Sequence, residues 1–203
     1  MPTGADLELL LELADVGDAD PMLRWTEVFG CDKPVEIEIG VGKGRFLIDT
    51  AMRREDINYV GVEWAMKYVR MAHARCVRRR LSNVRFVRAD AREFVEFFVP
   101  AKSVSAYHIY FPDPWPKKRH HKRRLFDVAF FSEVERTLVQ GGRLWLATDF
   151  GEYFDVMVEV LSQSHLMREV EAEWEGAKTN YEEKYLAEGK PIYRRVLEFT
   201  PVE

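Results

Sequence analysis

The chain has 203 residues, 47% of them hydrophobic and 32% charged, and a formal net charge of −4. That length suits a single α/β domain with one sizeable core, and the balance excludes a largely disordered chain. No apolar run approaches the roughly 20 residues of a membrane-crossing helix, and acids stand where a signal peptide carries Lys or Arg. With only Cys31 and Cys76 and no CxxC spacing, neither a disulfide framework nor a zinc site is expected, and a reducing, cytoplasmic setting is.

In chain order, short β-type runs alternate with helix-length amphipathic stretches, the pattern of βαβ units on a mostly parallel sheet. Residues 1–33 read as an acidic segment with a leading helix. Their first twenty form a helix around residues 7–13 or stay mobile. Residues 34–203 read as one α/β domain. The first strand, 35–39, enters the glycine turn Gly40-Val41-Gly42-Lys43-Gly44, and a helix follows to about Arg54. Strand 59–63 leads into a long helix over 65–81, strand 84–89 into a short helix over 91–98, and 105–111 is the fourth strand. Phe126, Phe130, Val134 and Leu138 have helical spacing over 126–139, with Gly141-Gly142 as the stop. Strand 143–148, a helix at about 152–162 and two closing strands, 167–174 and 192–199, complete the domain. Residues 112–124 fit neither pattern. With three prolines and the run KKRHHKRR, they predict an exposed loop that leaves the fourth strand at the carboxyl edge, where open α/β sheets bind ligands.

The glycine turn lets the backbone bend sharply after a strand and approach a ligand closely. It is not the pyrophosphate fingerprint GxGxxG, because Arg45 stands where the third glycine belongs. Glu38, two residues before the turn, repels a pyrophosphate and favours a cation. S-adenosylmethionine carries both an ammonium and a sulfonium, so the sign favours that ligand. Glu63 follows Gly40 by 23 residues, about the spacing at which an acid accepts from ribose hydroxyls. Asp90, at the end of the third strand, is placed to accept from an adenine amino group. N-capping is the alternative for these acids.

Phe111-Pro112-Asp113-Pro114-Trp115-Pro116 is a stiff turn. Trp115 or Phe111 is suited to stack on a planar base, and Asp113 to accept from its N–H groups. The total charge misleads about partners. Six of the 34 acids and none of the 30 bases lie in residues 1–20, and the bases concentrate at 117–124. A cationic arm beside a base-facing turn is suited to RNA phosphates, with the pocket choosing the base. Arg75, Arg78, Arg79 and Arg80 are explained by the dipole at the end of their helix. His73, His108 and His165 read as structural.

The motifs EIGVGKG, VGVE and RADA resemble those of class I methyltransferases, which implies a seven-stranded Rossmann-like sheet with helices on both faces and an antiparallel last strand. FPDPWPKKRHHKRRL, ATD at 147–149 and TNYEEKY at 179–185 resemble the bacterial tRNA (guanine-N7)-methyltransferase family. The resemblance implies methyl transfer from S-adenosylmethionine to N7 of the variable-loop guanine, position 46, of tRNA. It implies cofactor contacts from Glu38, Gly40, Gly42, Glu63, Asp90 and Asp113, with Asp113 also catalytic. Contacts to the guanine or nearby RNA are implied for Lys117, Asp149, Thr179, Asn180, Tyr181 and Glu182. The displacement requires no metal, and no membrane partner is expected. Monomer and homodimer are both open.

Overall fold

Seven strands pair into one sheet in the computed structural model, which describes residues 9–11, 13, 21–173 and 178–200. They are β1 (Val35–Ile39), β2 (Asn58–Glu63), β3 (Val84–Arg88), β4 (Val104–Tyr110), β5 (Leu138–Thr148), β6 (Met167–Glu169) and β7 (Tyr193–Phe199). Their order is β3-β2-β1-β4-β5-β7-β6. The first five run parallel, while β7 is antiparallel to both β5 and β6. The helices are α1 (Trp25–Phe29), α2 (Arg45–Ala51), α3 (Met66–Arg78), α4 (Ala91–Glu93), α5 (Val128–Thr137), α6 (Gly151–Leu161) and α7 (Asn180–Ala187). A π-helical turn, Phe94–Phe98, extends α4, and a 3-10 helix spans Lys118–Arg123.

Strand periodicity sorts side chains onto two buried faces. Val35, Ile37 and Ile39 of β1 join Phe94, Phe130 and Tyr153 in one core cluster. The opposite face carries Phe46 and Leu47 of α2 and Val69 and Ala72 of α3. The intervening β1 residues, Glu36 and Glu38, are buried as well. Two acids on one interior strand are costly to desolvate and require a reason.

The sequence expectations hold for the strand order along the chain and for most helices, with four departures. Of the helix expected at 7–13, the described residues 9–11 are not helical and make an isolated bridge to β3. Leu10 bridges Phe86 in parallel, with Leu11 N donating to Phe86 O at 2.8 Å and Phe86 N to Leu9 O at 2.7 Å. The unpaired edge of β3 supplies hydrogen bonds, and Leu9, 6% exposed, buries its side chain there. The leading helix is α1, whose Trp25 Nε1 donates to Ser103 Oγ at 3.0 Å. The helix expected over 126–139 ends at Thr137, and β5 begins at once, so Gly141-Gly142 lies inside an irregular strand. The strand expected over 167–174 is confined to Met167–Glu169 among its described residues. Finally, Asn180–Ala187, between the two closing strands, where the sequence indicates no element, forms helix α7.

Candidate active site

The connections after β1 and β4 leave toward opposite sides of the sheet, opening a crevice past the carboxyl ends of these neighbours. The glycine turn forms one wall. Gly40 and Gly42 have φ of 78° and 52°, and a Cβ on either would meet no atom closer than 3.9 Å. Glycine at these two positions serves the left-handed backbone and leaves room beside it for a ligand. Gly44 has a different reason: its Cβ would lie 2.8 Å from that of Ala72, so glycine lets α2 pack closely on α3.

The acids behind this wall are in different states. Glu63 braces the turn, its Oε2 accepting from Gly42 N at 3.0 Å and its Oε1 from Ala65 N at 2.9 Å. Asp90 caps α4 through Oδ1, accepting from Arg92 N at 2.8 Å. Glu38 is only 4% exposed, and its Oε2 has no hydrogen-bond partner. Burial pushes its carboxyl well above the ordinary range, the Leu47 backbone hydrogen bond works against this, and the charge of Glu63 adds to it. An orphaned buried carboxyl oxygen on the strand that leads into the glycine turn fits an ammonium group, which supplies both the missing donor and the compensating charge.

The second wall is the turn after β4. Phe111 and Trp115 flank Asp113 at φ of 51° and 42°, a left-handed backbone that costs bulky residues about 1–2 kcal/mol each. Local packing holds the strain. Phe111 N donates to Ala147 O at 2.7 Å, and its ring lies 5.5 Å from that of Tyr185 and 6.2 Å from that of Tyr181. The Trp115 ring is parallel to His120 at 5.7 Å, with the Arg123 guanidinium 5.0 Å from its centroid. Both rings expected to stack on a base thus already have protein neighbours, while Asp113 and Lys117 are exposed. The basic run is not uniformly a loop: Lys118–Arg123 winds into a 3-10 turn, and Arg124 turns inward, donating from Nε to Pro114 O at 2.9 Å.

Helix α7 closes the top. Thr179 Oγ1 accepts from Glu182 N at 3.0 Å as the N-cap, and the buried Glu182 carboxylate pairs with Arg194 of β7. Those two side chains are therefore committed inside the protein. Tyr181, 54% exposed, is displayed toward Phe111. Asp149 is close enough to Tyr185 for its charge to oppose ionisation of that phenol, after burial the next influence raising it. Glu183 ties α7 to α2, its Oε1 accepting from Arg45 Nη2 at 2.6 Å. The structure thus draws Asp113, Asp149 and Tyr181 to one edge; of Asn180 only the backbone, opening α7, is described.

The family described as "Putative methyltransferase" matches residues 32–195. A tRNA (guanine-N(7)-)-methyltransferase of Listeria monocytogenes is 38% identical over 87% of this chain and 85% of its own, and that of Bacillus subtilis is 34% identical over 95% and 94%. The chain belongs to the tRNA (guanine-N7)-methyltransferase family. Its fold is also that of the aminoglycoside resistance methyltransferase NpmB1, which aligns at a TM-score of 0.58 with 18% identity over 82% of this chain and 87% of that one. Members of the family use S-adenosylmethionine, the cation that Glu38 fits. Among the described residues, no cluster of three or more His, Cys, Asp or Glu side chains is placed to hold a metal, and no helix is long and apolar enough to cross a membrane.

Sequence reasoning missed the chain behind Glu38. His108 Nε2 lies 2.8 Å from Glu36 Oε2, and His108 Nδ1 lies 2.7 Å from Tyr110 Oη. Burial works against the Glu36 carboxylate, but the His108 hydrogen bond and charge, then Arg54, outweigh it and hold the group below its ordinary range. The alternation of Glu36 with Glu38 and of His108 with Tyr110 was the available signal. The Arg45–Glu183 and Arg194–Glu182 pairs, spanning distant segments, left none.

Proposed function

We propose that the protein methylates N7 of the variable-loop guanine, position 46, in tRNA. The observation that carries this reading is a buried carboxyl with an orphaned oxygen, Glu38, at the glycine turn, across the crevice from a strained turn that presents Asp113 and a run of exposed cations. Bound S-adenosylmethionine supplies an electrophilic methyl on a sulfonium. In our reading, Glu38 holds its ammonium, Glu63 its ribose hydroxyls and Asp90 its adenine amino group, with Gly40 and Gly42 allowing the close approach.

Guanine N7 has a lone pair and no proton, so the attack requires no general base. The N7–C bond forms as the S–C bond breaks, and positive charge passes from sulfur to the purine. Asp113 orients the base and stabilises that charge as it develops. Lys117, Asp149, Asn180 and Tyr181 face the guanine and the adjoining RNA, while Thr179 and Glu182 act indirectly by fixing the first turn of α7. N7 in folded RNA lies in a deep groove or a tertiary contact, so the base must be exposed to enter, by flipping where stacking buries it. A cytoplasmic setting suits this substrate.

Incubation with labelled S-adenosylmethionine and unmodified tRNA, followed by chain cleavage specific for N7-methylguanine, tests the reading. Label in the RNA with one cleavage in the variable loop is expected. No transfer, or transfer to another atom, refutes it.

A further inference from the structure

Away from the crevice, α2 and α3 border an open groove of about 470 Å³ lined by Arg45, Asp49, Arg75, Arg78 and Arg79. We propose that this groove is a second RNA contact, taking backbone phosphates on the opposite side of the glycine turn from the basic run 117–123. The inference rests on the tRNA reading above and extends it to a surface with no part in the chemistry.

The charge pattern of α3 carries the argument. Its thirteen residues include Lys67, Arg70, Arg75 and Arg78 and no acid, and Arg79 follows at the C-cap. The helix dipole accounts for the cations of the last turn, but it favours acids in the first, where Lys67 stands instead. Like charges at three- and four-residue spacing, such as Arg75 with Arg78 and Arg79, each cost a few tenths of a kcal/mol. Several arginines elsewhere meet carboxylates: Arg92 with Asp127 at 2.8 Å, Arg136 with Glu133 at 2.6 Å, Arg143 with Glu198 at 3.3 Å. Among the described residues, Lys67, Arg70, Arg75, Arg78 and Arg79 have no such partner.

Two of these arginines are also oriented. Arg75 Nη1 donates to Lys43 O in the glycine turn at 2.9 Å, and Arg79 Nη1 to Arg75 O at 3.3 Å. Each guanidinium is pinned at one nitrogen and keeps further donors for a phosphate, a geometry to which the planar fork is suited. Asp49 and Glu183 both pair with Arg45; the four arginines of the groove still outnumber these two carboxylates, and Arg75, Arg78 and Arg79, with no carboxylate of their own among the described residues, carry the surplus positive charge. Because the cofactor wall lies between this groove and the basic turn, a folded RNA rests on both while one base enters the crevice.

The test uses the full chain and unmodified tRNA. In the double variant Arg78→Gln/Arg79→Gln, the Kd for tRNA rises about tenfold, and the slope of log affinity against log salt becomes shallower by about 2, near one for each phosphate no longer neutralised. Most of the loss falls on KM for tRNA, and Arg78→Lys/Arg79→Lys recovers most of it. In the wild-type protein, an arginine-selective reagent such as phenylglyoxal modifies Arg78 and Arg79 more slowly when tRNA is bound, a readout that does not depend on the variants folding. Unchanged Kd and salt slope in the Gln variant, or equal modification with and without tRNA, overturns the groove. A wild-type protein that neither binds nor methylates tRNA overturns the functional reading instead.

Discussion

Replacing Glu38 with Gln preserves shape and removes charge, and the structure predicts opposite effects on the free and the loaded protein. In the free protein the carboxyl is buried with Oε2 unpartnered, and such a group costs about 1–3 kcal/mol. The amide leaves its own N–H₂ imperfectly paired, so only part of this returns, about 1 kcal/mol, or 2–4 °C in melting temperature for a domain of this size. In the loaded protein the substitution removes a charge-assisted hydrogen bond of about 1.5–3 kcal/mol, which weakens S-adenosylmethionine binding roughly 10- to 100-fold.

The pH dependence separates this from a generic packing effect. Burial raises the Glu38 carboxyl in the folded state above its ordinary 4.5, so the folded protein holds a proton that the unfolded chain has released. The associated stability is fully present below about 4.5 and is lost as pH rises through the folded value. The advantage of the Glu38→Gln variant in the free protein therefore grows with pH. Wild-type affinity for S-adenosylmethionine also rises with pH, because an ammonium favours the charged carboxylate. Thermal denaturation with and without S-adenosylmethionine, and titration calorimetry at pH 5 and pH 8, measure both effects. Ligand affinity within about threefold of wild type, or a free variant less stable than wild type at pH 8, refutes the reasoning.

Asp113→Ala should keep S-adenosylmethionine binding within about tenfold and lose most turnover at saturating tRNA; near-normal turnover removes Asp113 from the chemistry. Charge-neutral replacement of Lys117, Lys118, Arg119, Lys122 and Arg123 should raise the Kd for tRNA and flatten its salt dependence, and an unchanged slope means the turn touches no phosphate. Leu9→Ala, at a buried side chain whose backbone carbonyl accepts from Phe86 N of β3, should cost about 2–3 kcal/mol. Calorimetry should then show a melting temperature about 4–12 °C lower, and no change means the segment contributes nothing to the core.

What sequence made legible was whatever depends on local chemistry. The β-type runs ending in glycine or an acid located β1, β2, β3 and β5, and the glycine turn and the acids Glu38 and Glu63 could be named from their place at strand ends. What it hid depends on partners far along the chain. Leucines at 7, 9, 10, 11 and 13 have no clean period, and the open edge of β3, far along the chain, draws the described part into an isolated bridge. Thr179-Asn180-Tyr181-Glu182 reads as polar surface until Arg194 is in place to bury Glu182. Glu38 could be named from its position, but its unpartnered oxygen shows only once Leu47 and Glu63 stand beside it. Arg124 cannot be told from its seven basic neighbours until the Pro114 carbonyl is in reach.

The order of the last two strands bears on how the chain is made. β7 follows β6 in sequence yet lies between β5 and β6 in the sheet, so β6 has no neighbour to pair with when it is synthesised. During synthesis the parallel strands can assemble one after another, but the outer side of β5 presents bare amides and carbonyls until Tyr193–Phe199 arrives. The same strand carries Arg194, the partner that Glu182 needs. Completion of the sheet and docking of α7 over the crevice therefore coincide, and a nascent chain acquires a sealed edge and a finished ligand site in the same step.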